Sequence, residues 1–280
     1  MELGTDVLPG IVVDAAWLAE HTDQVVTADV RWYLDGRSGR AAYEAGHVPG
    51  AVFVDLDHAL AAHGAPATRG RHPLPEPAAF AAAMGALGIG DDTPVVAYDD
   101  AGGAVAGRLV WMLRATGTPA ALLAGGLRTW LGELETGDGT ARVATARTTR
   151  PWPAERLATY EEIEGRRADL VLLDARAPER YRGETEPVDP RAGHIPGARN
   201  LPVSAVLDPD TGRLADPATL RARFADIGAD VVASCGSGVS ACILLIAMEH
   251  AGLAPGRLFV PSFSGWSSDA SRTVATGAQP

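Results

Sequence analysis

The sequence has few cysteines and fewer basic than acidic residues, and these shortages exclude several classes of protein. Two cysteines among 280 residues cannot form a disulfide framework, and a chain of this length can bury a core without one, so we expect a reducing compartment. Lys and Arg number 24 against 35 Asp and Glu, a formal net charge of −11. The sequence therefore lacks the excess of basic residues that binding to a nucleic acid requires. An anionic substrate must then be bound by a local group of arginines.

The sequence also lacks an apolar run of membrane-spanning length. Its start carries Glu2, Asp6 and Asp14, without the basic and apolar regions of a secretory signal. We therefore expect a cytoplasmic protein with no membrane partner. Hydrophobic residues make up 46% and charged residues 21% of the chain, a globular balance that excludes intrinsic disorder and a coiled coil.

An internal repeat divides the chain into two copies of one domain. Three blocks recur in the same order: residues 28–31 at 173–176, residues 46–51 at 193–198, and residues 95–98 at 231–234. The matching blocks are separated by 145, 147 and 136 residues, in that order. Trp130 and Trp266, near the ends of the two copies, are also 136 residues apart. This regularity indicates a tandem duplication. We predict domains at residues 1–135 and 160–280, joined by a linker at residues 136–159 that is rich in Gly, Thr and Pro.

Short apolar runs alternate with helical patterns in each copy. Residues 171–174 and 231–234 are apolar and end in turn-forming residues, which is typical of strands in a parallel sheet covered by helices. The apolar stretch 241–250 ends near Gly252 and predicts a buried helix with a glycine just beyond its end. The expected fold class is therefore α/β, with a mainly parallel sheet flanked by helices in each domain.

Cys235 lies in a glycine-rich loop, residues 234–241, between a predicted strand and a predicted helix. Ligands of open α/β sheets bind at this carboxyl end of the strands. Gly236 and Gly238 allow main-chain N–H groups to point at one sulfur, and the helix adds its positive end, which would stabilise a thiolate or persulfide. A lone cysteine is more often a small buried hydrophobe, as we expect for Cys242, but the surrounding loop favours a reactive Cys235.

The order of these motifs resembles the tandem-domain rhodanese family. The blocks that carry the resemblance are Asp-x-Arg, Gly-His-Ile/Val-Pro-Gly-Ala and the Cys-Gly-Ser-Gly-Val loop, and the loop is similar to that of the 3-mercaptopyruvate sulfurtransferases. The resemblance implies two tandem rhodanese-like domains. The first copy has Asp100 where the second has Cys235, so it resembles the catalytically silent half of the family.

The resemblance implies a sulfurtransferase that uses covalent catalysis. Cys235 would take sulfur from 3-mercaptopyruvate, release pyruvate, and pass the sulfur from its persulfide to a thiol such as thioredoxin or a small thiol, or to cyanide. No metal or organic cofactor is implied.

There are three alternatives to this function. Thiosulfate is the alternative donor, although thiosulfate-using relatives commonly carry basic residues in the loop and this loop has none. A non-enzymatic sensor or interaction module is a further alternative, against which the intact cysteine loop argues. A phosphatase is excluded because the seventh loop position, where its arginine belongs, is Ala241.

The resemblance also implies a proton relay beside the cysteine. Ser237 would work with His72 and Asp57, which both follow the first Gly-His-Val-Pro-Gly-Ala block, so the silent copy would contribute to the site. The alternative is a loop histidine and a surface aspartate held by local hydrogen bonds. His47 and His194 occur in both copies, including the one without cysteine, and are interpreted as structural.

A keto-acid carboxylate is best held by the forked donors of arginine. By resemblance, Arg180 and Arg191 are the substrate arginines, with Arg182 as a substitute because the spacing to Arg191 is about two residues longer than expected. The alternative is a solvated charge run with weak internal ion pairs. The remaining substrate contacts are expected from the loop, at Gly236, Gly238, Val239 and Ser240.

Overall fold

The computed structural model describes residues 7–139, 141–165 and 167–280, so the first six residues, which bear on the expected absence of a signal, lie outside it. The chain forms two compact units. The first contains the chain up to Ala61, Pro75–Trp152 and Thr211–Arg213. The second contains Ala62–Leu74, Pro153–Asp210 and Leu214–Pro280. Residues 62–74, which the sequence analysis places in the first domain, therefore pack as part of the second unit.

The first unit is a parallel sheet with helices between its strands. Its strands are β1 (Val12–Val13), β2 (Val26–Asp29), β3 (Val52–Phe53), β4 (Val95–Tyr98) and β5 (Ala120–Leu123). Its helices are α1 (Ala15–His21), α2 (Gly39–Ala45), α3 (Leu56–Ala59), α4 (Pro77–Ala86) and α5 (Ala106–Ala115). The strand order is β1-β5-β4-β2-β3, with every pair parallel. The inner strands β2 and β4 are fully buried: β4 consists of apolar residues and Tyr98, whereas β2 also buries Thr27 and Asp29.

The second unit repeats this arrangement. Its strands are β6 (Leu170–Asp174), β7 (Arg199–Asn200), β8 (Asp230–Ser234) and β9 (Arg257–Leu258). Its helices are α6 (Tyr160–Glu164), α7 (Pro178–Tyr181), α8 (Pro217–Phe224), α9 (Ala241–His250) and α10 (Ser262–Ser268). The order β7-β6-β8-β9 is again parallel throughout and matches β3-β2-β4-β5 of the first unit. The predicted α/β fold class, with two tandem parallel-sheet domains, is confirmed.

The helix predicted after the cysteine loop is α9. It is buried along nearly its whole length, because its apolar residues face the sheet on one side and other helices on the other. Gly252 follows its end with a φ of 72° and donates its N–H to the Glu249 carbonyl at 2.9 Å. The residue therefore ends the helix in the left-handed conformation that the sequence predicts.

The repeated Asp-x-Arg motif forms a buried ion pair in each unit. Arg31 bonds Asp29 through Nε and Nη2, at 3.0 and 2.6 Å, and its Nη2 also donates to the Gly46 carbonyl at 2.8 Å. Arg176 bonds Asp174 and the Gly193 carbonyl in the same way, at 2.6 and 2.7 Å. Each pair thus ties the end of a strand to the start of the Gly-His-x-Pro-Gly-Ala block.

The histidines of these blocks have equivalent structural surroundings. His47 stacks on Tyr43 with ring centroids 3.8 Å apart, and His194 stacks on Tyr181 at the same distance. Each histidine Nδ1 lies 2.8 Å from the carbonyl of its own tyrosine. These contacts support the structural interpretation of both histidines.

Among the residues described, no helix has the length and apolar character needed to cross a bilayer.

We predict that Arg31→Ala lowers the free energy of unfolding of the first unit by about 3–5 kcal/mol, because it leaves the Asp29 carboxylate buried and unpaired. Arg37→Ala is the matched control: Arg37 also bonds the aspartate two residues before it, Asp35, but both side chains are more than half exposed. Its cost should be much smaller, because solvent screens this exposed pair. Urea titrations of both variants measure the difference, and equal costs would contradict the importance given to burial.

Candidate active site

Cys235 follows β8 directly, at the carboxyl end of a strand that pairs with β6 on one side and β9 on the other. Its side chain is buried, with 1% of the residue exposed. The loop is fastened to α10 by two main-chain bonds: Phe263 N–H donates to the Cys235 carbonyl at 3.0 Å, and Ser264 N–H donates to the Gly236 carbonyl at 2.8 Å. The main chain of the cysteine and of the residue after it is therefore fixed to α10.

A main-chain donor points at the sulfur. Gly238 N–H lies 3.1 Å from Cys235 Sγ, and the N–H of Cys235 itself donates to Ser262 Oγ at 3.2 Å. Gly238 has a φ of 76°, and a Cβ on it would lie 2.5 Å from the Val260 carbonyl oxygen, so this turn requires glycine. A curled loop with its N–H groups directed inward stabilises negative charge on the atom that it encloses.

Ser237 is in contact with the predicted histidine. Its Oγ lies 2.8 Å from His72 Nδ1, and both residues are buried. His72 reaches the loop because residues 62–74 belong to the second unit: Arg71 N–H donates to Ser264 Oγ at 3.0 Å, and Tyr160 donates its hydroxyl to the Thr68 carbonyl. The predicted serine–histidine pair is thus present as a hydrogen bond within one unit.

Asp57 lies in α3 of the first unit, where it accepts a hydrogen bond from Trp32 Nε1 at 2.9 Å. Its part in the relay stays a prediction.

Two guanidinium groups flank the residue next to the cysteine. A Cβ built on Gly236 would lie 3.1 Å from Arg71 Nη2 and 3.6 Å from Arg180 Nη1. Arg180 is one of the predicted substrate arginines. The sequence analysis missed Arg71, although its position immediately before the candidate His72 was a signal that could have found it.

Both arginines are bound to buried carboxylates. Arg180 Nη2 lies 2.6 Å from Glu186 Oε1 and 3.2 Å from Asp189 Oδ2, and Arg71 Nη1 bonds the other oxygen of Asp189. Glu186 also forms an ion pair with Arg176, at 3.4 Å. The charge run is therefore largely an internal network, not the solvated surface of the alternative interpretation. Its charges alternate in the order Asp174, Arg176, Glu186, Arg180, Asp189, Arg71.

Two of the three carboxylates in this network, Glu186 and Asp189, have pKa values shifted in opposite directions. Burial opposes the charged form of Glu186, but bonds from Arg180 and from the N–H groups of Asp189 and Val188 outweigh it and hold the pKa of Glu186 below its usual value. Burial is the largest influence on Asp189 and raises its pKa, reinforced by nearby Glu186 and opposed by Arg71 and Arg180.

The other two predicted arginines have different partners. Arg191 donates from Nε, Nη1 and Nη2 to four main-chain carbonyls at 2.7–3.2 Å, which fixes the chain after α10. Arg182 is partly exposed and pairs with exposed Glu184 at 2.7 Å. Neither guanidinium is among the atoms nearest Gly236, and the substrate role predicted for Arg191 and Arg182 stays a prediction.

The rest of the loop joins Cys235 to α9. Val239 is buried and Ser240 precedes the first residue of the helix. The substrate contacts predicted for the loop residues stay predictions. Cys242 is buried in α9, where its Sγ lies 3.6 Å from the Gly238 carbonyl. Cys242 thus packs beneath the loop as a core residue.

The equivalent loop of the first unit is closed by a carboxylate. The cysteine position is taken by Asp99, not by Asp100 as predicted: Tyr98 pairs with Asp29 as Ser234 pairs with Asp174, and the Asp99 carbonyl accepts the N–H of Leu127 as the Cys235 carbonyl accepts that of Phe263. The Asp99 carboxylate accepts four loop N–H groups at 2.8–2.9 Å, from Ala101, Gly103, Val105 and Ala106. Asp100 lies one residue further along and accepts the Tyr33 hydroxyl at 2.6 Å. Burial, followed by the bond to Asp100, raises the pKa of Tyr33 to about 12. The first unit therefore satisfies its loop amides with the side chain that replaces the cysteine.

Comparison with known proteins places the chain in a family. A family model described as a rhodanese-like domain matches residues 14–133 and again residues 158–269. The chain belongs to the rhodanese family. The predicted resemblance and the tandem arrangement are thereby confirmed.

Relatives match nearly the whole chain. The putative thiosulfate sulfurtransferase SseB of Mycobacterium tuberculosis is 42% identical, over 95% of this chain and 97% of the relative. The probable 3-mercaptopyruvate sulfurtransferase of Pseudomonas aeruginosa is 39% identical, over 94% of this chain and 95% of the relative. The crystal structure of SseA from Escherichia coli, a 3-mercaptopyruvate sulfotransferase, superposes with a TM-score of 0.78 at 30% identity, over 91% of this rhodanese and 99% of SseA.

We predict that Gly238→Ala lowers sulfur transfer at least about tenfold, because the left-handed strain and the clash with Val260 displace the donor from Cys235 Sγ. Gly252→Ala is the matched control. Its φ is 72°, and a Cβ on it would meet nothing within 4 Å, so it should cost about 1 kcal/mol of stability and leave the rate unchanged. Steady-state rates and thermal melts of both variants test this; equal rates would show that the Gly238 donor has no part in transfer.

Proposed function

We propose that this rhodanese transfers sulfur from 3-mercaptopyruvate to an acceptor through a persulfide on Cys235, with release of pyruvate. The sulfurtransferase class is confirmed by relatives that carry this name and match nearly the whole chain. The observation that carries the choice of donor is the 2.8 Å contact between Ser237 and His72, two residues along the loop from the cysteine.

The first step moves one sulfur atom to the enzyme. The Cys235 thiolate attacks the sulfur of 3-mercaptopyruvate, an S–S bond forms, and the C–S bond of the donor breaks with its electron pair left on carbon. That carbon must gain a proton to become pyruvate, and a positioned acid supplies it. Ser237 and His72 form a pair that can relay this proton. In the second step the acceptor attacks the outer sulfur and regenerates the Cys235 thiolate.

The donor carboxylate is held by arginine. Arg180 and Arg71 flank Gly236, and both present guanidinium N–H groups next to the nucleophile. Planar forks of this kind bind a carboxylate in a defined orientation, which places the substrate sulfur over Cys235. Gly238, Val239 and Ser240 contribute main-chain groups of the loop. Asp57 is included in the proposal as the further member of the relay.

Thiosulfate is the second candidate donor, and the name of the Mycobacterium tuberculosis relative favours it. Its leaving group, sulfite, departs without a proton, so a serine–histidine relay would serve no purpose in that first step. The loop between Cys235 and Ala241 also has no basic side chain with which to meet a dianion. Both observations favour the monoanionic keto acid.

The acceptor is proposed to be a thiol, of thioredoxin or of a small molecule, or else cyanide, since each can attack a persulfide. A cytoplasmic location is retained as part of the proposal. The chain has only two cysteines, which suits a reducing compartment.

Ser237→Ala separates the two donors. We predict that kcat/KM for pyruvate release from 3-mercaptopyruvate falls about a hundredfold, because the carbon leaving group loses its proton source. Thiocyanate formation from thiosulfate and cyanide should change by less than about threefold, because sulfite needs no proton. Ser204→Ala, an exposed serine of the same unit, is the control and should change neither rate. Equal losses with both donors would count against the relay and against 3-mercaptopyruvate as the preferred donor.

A further inference from the structure

Asp189 occupies an unusual position for a carboxylate in a site that must bind an anion. Its side chain is only 2% exposed, and its two oxygens bond Arg71 Nη1 and Arg180 Nη2, one on each side. The same two guanidinium groups flank Gly236, the residue after the nucleophile. The two cations next to Cys235 are therefore bridged by a fixed negative charge.

The net charge that a donor meets follows from this bridge. Without Asp189, the bonds of the network would leave Arg71 without a carboxylate partner and Arg180 with Glu186 alone. With Asp189 in place, the charges of Asp174, Arg176, Glu186, Arg180, Asp189 and Arg71 sum to zero. A sulfur substrate near Gly236 therefore meets guanidinium N–H groups that can hydrogen-bond to it, but little excess positive charge.

The ion pairs of Asp189 with Arg71 and Arg180 are accessible to small molecules. Arg71 is 29% exposed, and Arg71 and Asp189 together line a cleft of about 440 Å³. Val188 also lines this cleft and is 36% exposed. The charge of Asp189 therefore acts at a place that a small anion can approach.

Coulomb's law doubles the repulsion from one fixed negative charge when the donor carries two charges in place of one. 3-Mercaptopyruvate offers a single carboxylate, whereas thiosulfate is a dianion. We propose that Asp189 is a specificity-determining residue, which admits a monoanionic donor and disfavours a dianionic one by cancelling the positive charge of Arg71 and Arg180. This inference rests on the proposed function and adds to it the reason for the donor preference.

Burial raises the pKa of Asp189, which agrees with the energetic cost of keeping this carboxylate charged inside the unit. A buried charge that is retained at such a cost and bonded on both sides fits a role in the site.

The test is the ratio of kcat/KM for thiosulfate to kcat/KM for 3-mercaptopyruvate, in which any general effect on Cys235 cancels. Asp189→Asn removes the charge with nearly the same shape, and we expect the ratio to rise roughly tenfold. Asp189→Glu keeps the charge and should leave the ratio near that of the unmodified protein. Glu184→Gln is the matched control: it removes a carboxylate of the same segment that pairs with exposed Arg182, and it should not change the ratio.

Val188→Lys provides an independent variant that does not depend on a buried substitution. It adds a positive charge at an exposed position beside Asp189, and solvent screening should limit the rise in the ratio to about threefold. If Asp189→Asn does not fold, this variant decides the question.

The proposal would be overturned if every one of these two variants that folds, Asp189→Asn and Val188→Lys, kept the ratio within twofold of that of the unmodified protein. Loss of both activities in a folded Asp189→Asn protein would also overturn it, because Asp189 would then serve only to position the arginines. These results leave the proposed function intact, since the unmodified protein still uses 3-mercaptopyruvate. An unmodified protein that forms no Cys235 persulfide from either donor would overturn both.

Discussion

The buried pairing of an arginine with an aspartate two residues before it is the constraint on which both units depend. In each unit the pair lies at the end of a strand and binds the carbonyl of the glycine that opens the Gly-His-x-Pro-Gly-Ala block. In the second unit the network continues beyond Arg176 through Glu186 to Arg180, and then through Asp189 to Arg71. Buried charges are tolerated only when they are paired, so each member of this series fixes the next. The fold motif thereby positions the guanidinium groups beside Cys235.

The two units show how one scaffold supports two loops with different side chains at the same position. Both loops follow a central parallel strand and precede a buried helix. In the first unit the Asp99 carboxylate accepts four loop amides, whereas in the second unit the equivalent side chain is the Cys235 thiol, to which one loop amide donates. The sequence analysis expected Asp100 at this position, and the strand register moves the match to the preceding residue.

Much of this could be predicted from the sequence, because the informative features are local. The repeat, the strand before Cys235, the helix ending at Gly252 and the glycine-rich loop all follow from periodicity and turn chemistry. The partners of the charged residues could not be predicted. Arg182 and Arg180 are two residues apart in one polar segment, yet one lies at the surface and the other in a buried network. The packing of residues 62–74 into the second unit, which brings Arg71 and His72 to the loop, has no local signature either.

The account depends on a covalent sulfur carried by Cys235 and derived from 3-mercaptopyruvate. The most direct test is to incubate the protein with 3-mercaptopyruvate and no acceptor, and to measure its intact mass together with the pyruvate released. The account predicts a gain of one sulfur atom per chain, located on Cys235 by peptide mapping, with pyruvate released in equal amount. Cys235→Ser should show neither change. Pyruvate release without added sulfur on Cys235, or undiminished release by Cys235→Ser, would contradict it.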